Sequence, residues 1–353
     1  MTGISFDPDA PGTGDGIFGL PYTAEEAEVV LLTIPWEATV SYGSGAHRGP
    51  EAIRAASQQV DLFDLENGRF YERGIHLLPS PPEVESASEE ARKLVRKILR
   101  DTDGAGISDP AAASEPGTKL TERLARVNEL GAWLNDYVAR ECDLWRSQGK
   151  LVGLVGGDHS SPFGAMQSAA RNHGEFGILQ IDAHADLRPS YMGFEWSHAS
   201  IFHNVLGRIP EATKLVQVGI RDLGNNEVAQ IEGAPDRIRT FFDLEIQNRL
   251  ADGVTWTDIR KAIVDVLPEQ VYVSFDIDGL DPSLCPNTGT PVPGGLTFHQ
   301  ASSLIAEVTS SGRRIIGFDL CEVAPAPGGD SEWDANVGAR ILYKMIGHAL
   351  RNR

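Results

Sequence analysis

Three cysteines in 353 residues, Cys142, Cys285 and Cys321, are too few and too scattered for a disulfide framework or a thiolate zinc site. A reducing compartment fits them best. Apolar runs stop at roughly six residues, as in Val29–Ile34, against the ~20 that a membrane helix needs. The first twenty residues, rich in Gly, Asp and Pro, lack both a basic stretch and an apolar stretch of the kind that marks a secretory leader. The expected location is the cytoplasm, without an anchor. Positive charge is also scarce: 31 Lys+Arg face 50 Asp+Glu, a formal net charge of −19, and no Lys/Arg block offsets it. Such a field repels phosphate backbones and anionic lipid, so nucleic acid and membrane are excluded as partners and a small cationic molecule is favoured. No fixed-period repeat occurs, which removes solenoids and propellers.

What is present is enough for a large core, since 41% of residues are hydrophobic and 23% charged. Short Val/Ile/Leu runs alternate with helical patterns, the signature of a mostly parallel, doubly wound α/β sheet with helices on both faces. Strands are expected at Val29–Ile34, Leu151–Val155, Phe176–Ile181, Leu215–Val218, Arg239–Phe242, Val271–Phe275 and Arg314–Phe318. Between Leu120 and Trp145, apolar residues recur every three or four positions, predicting a helix with one buried face. Shorter helices are expected at Pro50–Ser57, Pro162–Arg171, Trp256–Val266, Phe298–Thr309 and Asp334–Arg351. Residues 1–28 read as an N-terminal extension and 29–353 as one domain. Within it, 79–118 reads as a surface insertion, a charged helical piece around Glu89–Arg100 followed by a Gly/Ala/Ser/Pro stretch.

Three of the strands run into ligand-type side chains. The first leads to Gly156-Gly157-Asp158-His159-Ser160, the second to Asp182-Ala183-His184-Ala185-Asp186, the third to Asp276-Ile277-Asp278. In extended chain, residues two apart share a face, so Asp182, His184 and Asp186 are expected to converge, as are Asp276 and Asp278. A lone Asp-x-Asp is usually a solvated turn, and a lone His after a strand a satisfied core or surface residue. Here six such side chains sit at carboxyl ends of strands, where open α/β sheets place ligands. Four crowded carboxylates repel unless cations neutralise them. Two imidazoles with four carboxylates and no sulfur suit a pair of divalent ions such as Mn²⁺. An ion pair of that kind can activate water against an electrophilic carbon, which predicts metal-assisted hydrolysis.

These three motifs, the last within Ser274-Phe275-Asp276-Ile277-Asp278-Gly279-Leu280-Asp281-Pro282, resemble the signatures of the ureohydrolase superfamily, which holds arginase, agmatinase, formiminoglutamase, guanidinobutyrase and guanidine hydrolase. Gly43–Pro50 and Thr288-Gly289-Thr290-Pro291 extend the similarity from about Val29 to the C-terminus. The resemblance implies a three-layer arginase-like fold, and two metals on His159, Asp182, His184, Asp186, Asp276 and Asp278, with Asp182 and Asp276 bridging. It implies that Asp186 accepts or orients a proton and that His198 shuttles one; a plain surface-loop histidine is the alternative for His198. It also implies that Glu322 pairs with a substrate guanidinium, and a fixed salt bridge to a neighbouring arginine is the alternative there. Similar proteins are commonly trimers or hexamers, so a homo-oligomer is expected.

The substrate is read from departures. Leu187-Arg188-Pro189-Ser190 replaces the Asn and Ser with which arginases hold an amino-acid carboxylate, and the loop Gly219-Ile220-Arg221-Asp222-Leu223-Gly224 has glycine where arginases carry an aspartate near the α-amino group, which argues against L-arginine. Agmatine has a distal cation that Arg188, at the site entrance, would oppose unless a carboxylate pairs with that arginine. Guanidine avoids the conflict. Leu187-Arg188, Trp196-Ser197-His198-Ala199-Ser200 and the ending Glu332–Arg340 are similar to a bacterial agmatinase-like subgroup that includes guanidine hydrolases and is associated with nickel, so the best reading is a guanidine hydrolase using Mn²⁺ or Ni²⁺, with agmatine or a metformin-type biguanide as alternatives. A catalytically silent subunit of a hetero-oligomer is the reading from another class. Trp36, Tyr42 and Trp196 are candidates to wall the pocket, Trp196 as a substrate contact, although core packing would also explain each. Gly289–Gly295 resembles a phosphate loop only in its glycines, because no Lys follows and two prolines lack amide donors.

Overall fold

Strands form where aliphatic residues run unbroken, because a parallel sheet is covered on both faces and asks for apolar side chains on each. The computed structural model describes residues 7–9, 16–40, 43–103, 110–113, 115, 117–329 and 331–353. Among them the strands are β1 Val29–Ile34, β2 Ile75–Leu77, β3 Leu151–Gly156, β4 Phe176–Ile181, β5 Ala212–Ile220, β6 Ile238–Phe242, β7 Gln270–Asp276 and β8 Arg314–Cys321. They make one sheet of order β2-β1-β3-β8-β7-β4-β5-β6, with every pairing parallel. The helices are α1 Gly49–Ala56, α2 Pro82–Asp103, α3 Pro110–Ala113, α4 Lys119–Ser147, α5 Phe163–His173, α6 Ile201–Arg208, α7 Asn225–Gly233, α8 Asp243–Ala251, α9 Trp256–Asp265, α10 Phe298–Ser310 and α11 Trp333–Arg351.

Alternation along each strand sorts side chains to two cores. Val29 and Leu31 of β1 pack with residues of α1, α9, α10 and α11 on one face, whereas Leu32 and Ile34 pack with residues of α2, α4, α5 and α6 on the other. Ile17, Phe18 and Leu20 join the first core, and the Phe18 and Tyr343 rings meet edge to face at 4.8 Å. Thr118 caps α4 by accepting from the Thr121 amide. Among the described residues no helix is long and apolar enough to cross a membrane.

Two expectations need correction. An eighth strand, β2, escaped notice because it is three residues long and lies at the sheet edge. The stretch read as a surface insertion contains α2, whose 22 residues bury Val84, Ala91, Val95 and Ile98 against the helical layer, where α4 lies. Its dense outer charge hides that sparse apolar stripe. Residues 104–109, 114 and 116 of the following stretch lie outside the described residues.

The carboxyl ends of four adjacent central strands, β3, β8, β7 and β4, lie side by side. Each leads directly into residues with ligand-type side chains.

Candidate active site

The turn after β3 is shaped by close backbone approach. A Cβ on Gly157 would lie 1.8 Å from the Trp36 carbonyl oxygen, and the Glu322 amide donates to the Gly157 carbonyl at 2.8 Å. Only glycine allows that contact, and it sets His159 beside the ends of β4 and β7. Asp158 turns the other way, fully buried, accepting from the Ala38 and Ser160 amides at 3.0 Å each.

His159 Nδ1 faces three carboxylate oxygens, Asp182 Oδ2 at 3.0 Å, Asp186 Oδ2 at 3.1 Å and Asp276 Oδ2 at 3.3 Å. None is aligned as a hydrogen bond, so this buried nitrogen has no partner. Its other ring nitrogen, Nε2, lies 3.0 Å from Ser274 Oγ, which donates to Asp319 Oδ1 at 3.0 Å. With the Ser274 proton committed to Asp319, Nε2–H donates to Ser274 Oγ, which leaves Nδ1 as the ring nitrogen turned to the three carboxylates and the one able to ligate an ion. Three carboxylate oxygens gathered on one ring nitrogen call for positive charge among them, and against the effect of burial they hold the His159 imidazole well above its ordinary pKa. The donor chemistry therefore fits a divalent ion.

A second group adjoins it. His184 Nδ1 is 3.0 Å from Asp278 Oδ2 and 3.7 Å from Asp182 Oδ1, so Asp182 belongs to both donor sets, one with His159 and Asp186 and one with His184 and Asp278. Electrostatics tell the same story. Burial, followed by the neighbouring Asp182 charge, pushes Asp186 up to about 7, and burial with Asp278 and Asp182 pushes Asp276 well above the carboxylate range.

The shared-face expectation for these motifs is corrected in its geometry. Asp186 has φ 54 and Asp278 lies in a single 3-10 turn, Ile277–Gly279, so neither motif is extended chain. Asp182, His184 and Asp186 divide between two groups and do not point to one spot. Asp186 and Glu322 (φ 62) are two of four described non-glycine residues held at positive φ, a costly backbone state that clusters at functional sites.

Glu322 follows β8 immediately, 9% exposed, and its Oε1 accepts from the His159 amide at 2.9 Å. Burial, then Asp276 and Asp158, raises its pKa well above the ordinary range. Among the described residues no arginine or lysine pairs with it, which sets aside the fixed salt bridge. His198 lies 2.9 Å through Nδ1 from Thr39 Oγ1, and burial with His184 nearby holds its imidazole down at about 4, so it is neutral at pH 7.

A cavity of about 370 Å³ opens over His184, Asp186 and His198 and is walled by Arg188, Tyr191, Asp222, Glu227, Thr290 and Val292. A larger one, about 1000 Å³, lies between β1, β2, α1 and α2 and holds none of the six ligand-type residues. Trp196 does not line the smaller cavity: it packs against Gly131 of α4 and edge to face on Phe163, with the Arg208 guanidinium over its ring. The substrate contact expected of Trp196 is thus corrected, since its ring is taken up by α4, Phe163 and Arg208 and is not among the residues that wall the cavity. Trp36 is a core residue at 1% exposure, and Tyr42 lies outside the described residues.

Sequence reasoning missed Glu227, which is 3% exposed, accepts from the Leu187 and Gly224 amides at 3.0 and 2.7 Å, and lies 3.5 Å from Arg188 Nε. It is the carboxylate that could neutralise Arg188. Its signal was faint, a glutamate three residues after Gly224 at the start of α7, a common capping arrangement.

A family model described as the arginase family matches residues 27–347. The chain belongs to the arginase family. It is a ureohydrolase, an enzyme that cleaves a guanidino C–N bond. It is 33% identical over 330 residues to the N(1)-aminopropylagmatine ureohydrolase of Thermus thermophilus, covering 93% of this chain and 91% of that protein. It is 32% identical to the mitochondrial agmatinase of Gallus gallus over 92% of this chain and 82% of that one. The solved agmatine ureohydrolase of Thermoplasma volcanium superposes with a TM-score of 0.70 at 22% identity, covering 95% of this chain and 94% of that one.

Proposed function

We propose that this arginase-family member hydrolyses a guanidino compound carrying a second, distal cation, of the agmatine or N(1)-aminopropylagmatine type, and releases urea. The observation that carries the reading is the Arg188–Glu227 pair at 3.5 Å. The repulsion that made guanidine the better expectation is answered by a buried carboxylate, and Asp222 adds a second one to the same wall. A cavity of about 370 Å³ lies in the ~300–1000 Å³ range of sites for ligands larger than guanidine. The relatives named for aminopropylagmatine and agmatine support the same choice.

His159, Asp182, Asp186, Asp276, His184 and Asp278 would hold two divalent ions, Mn²⁺ or Ni²⁺. When bound, such a pair supplies Lewis acidity and a water acidic enough to attack the guanidinium carbon near neutral pH. Glu322 orients the planar guanidinium through a charge-assisted pair, its Oε1 already steadied by the His159 amide. Asp186 accepts or orients the proton of the attacking water. His198, neutral at pH 7 and steadied by Thr39 at the cavity wall, relays to the departing amine the proton that Asp186 takes from the attacking water.

The test is a urea-release screen over guanidine, agmatine, N(1)-aminopropylagmatine, arginine, guanidinobutyrate and metformin, run separately with Mn²⁺ and Ni²⁺. The expected result is a kcat/KM for agmatine or its aminopropyl derivative at least about tenfold above that for guanidine. Guanidine turned over best under either metal restores the compact-substrate reading, and no urea from any compound favours the silent subunit.

A further inference from the structure

Beneath the ligand-type residues, a row of buried polar side chains crosses four strands. Thr240 of β6 is in register with Gln217 of β5, Gln217 with Gln180 of β4, and Gln180 with Ser274 of β7. Gln180 and Gln217 are 0% exposed. Polar groups buried so deeply are tolerated only when their donors and acceptors are met, so their partners reveal their use.

Thr240 Oγ1 donates to Gln217 Oε1 at 2.8 Å. Gln217 Nε2 donates to Gln180 Oε1 at 2.7 Å and to the Ala185 carbonyl at 2.8 Å. Gln180 Nε2 donates to Asp182 Oδ2 at 2.8 Å and to the His184 carbonyl at 3.0 Å. Backbone carbonyls only accept, so both amides must turn their NH₂ groups toward the Asp182–Ala185 segment. The oxygens are then directed along the row, and the last of them meets the Thr240 hydroxyl. Three of these five bonds end on the segment that carries Asp182, the carboxylate common to both donor sets, and the other two fix the amides that make them.

We propose that Gln180 is a positioning residue for the metal centre: its amide holds the Asp182 carboxylate and the His184 backbone, and Gln217 with Thr240 fixes the direction of that amide. The inference rests on the metal-dependent reading and is independent of the substrate. Outer partners of metal ligands are typically worth ~10–100-fold in metal affinity.

The full chain, stripped with chelator, is titrated calorimetrically with Mn²⁺ and, separately, with Ni²⁺, and the metal-free melting temperature is measured alongside. Gln180→Leu is expected to weaken ion binding ~10–100-fold. Thr240→Val, which keeps the side-chain shape and removes only the far hydroxyl, should weaken it ~2–10-fold, as one hydrogen bond would. In the double variant the affinity should equal that of Gln180→Leu alone, because without the amide the row no longer reaches a ligand. Unchanged affinity in Gln180→Leu overturns the inference, even with a lowered melting temperature, since packing then explains the residue. So do losses that simply add. A wild-type chain that takes up neither ion overturns the metal reading itself, and the two failures are told apart by that first titration.

Discussion

Two buried carboxylate sites in this molecule behave oppositely. Glu37, 0% exposed, brings its own donors: Ser44 Oγ, His47 Nδ1 and the Gly45 and His47 amides, the last two at 3.0 Å. Burial alone would raise its pKa, yet those donors lower it to about 2. Asp186 and Asp276, 5% and 3% exposed, converge on a single imidazole nitrogen, with their pKa values driven upward. A carboxylate that serves the fold is supplied with hydrogens by the fold. Among the described residues no hydrogen bond reaches the Oδ2 of Asp186 or of Asp276, and the cost of burying those charges is met when a cation arrives.

The largest effect expected of that contrast is at the site. Asp276→Ala should remove at least one of two ions and reduce urea release to background, read by elemental analysis and a turnover assay; full occupancy in the variant would mean that Asp276 serves the fold as Glu37 does. Next comes His198→Ala, which should lower kcat ~10²–10⁴-fold with metal content intact. Near-normal turnover would return His198 to an ordinary loop residue.

The smallest effect belongs to Glu37 and is one of stability. Its folded pKa, about 2, lies below the ordinary ~4.3 of an unfolded glutamate, so its stabilisation is present above pH ~4.3 and is lost as pH falls toward 2. Glu37→Gln should cost ~3 kcal/mol at pH 7, and the gap from wild type should close across that window, with ion content unchanged. Chemical denaturation of the metal-free proteins at pH 7 and at pH 3 measures both. A gap that ignores pH would mean that shape, and not charge, holds the Gly45–His47 turn.

Legibility followed the range of the interactions concerned. Val29–Ile34 and Phe176–Ile181 have the bounds expected from sequence, because each is an unbroken apolar run buried on both faces. The α6, α7 and α8 helices went unread, being only eight or nine residues long with little periodic pattern to show. Gln180, Ser274 and Asp319 stood out as polar residues within apolar strands, a signal that was available and unused. Trp196 was misjudged because an aromatic residue beside a motif looks the same in sequence whether it faces a cavity or a helix.

By itself the sequence determined the parallel sheet, the three strand-end motifs and the residue types able to hold cations, since these depend on local runs and on spacings of two or three residues. Only the tertiary structure decided that Asp182, and not Asp276, belongs to both donor sets, that His159 turns its Nδ1 toward three carboxylates, and that Glu227 meets Arg188 at the cavity wall. Each of these joins separate segments of the chain, as the Gln180–Gln217 hydrogen bond joins residues 37 positions apart. Such contacts are fixed by strand register and by backbone turns such as the one at Asp186, which leave no periodic trace in the order of amino acids.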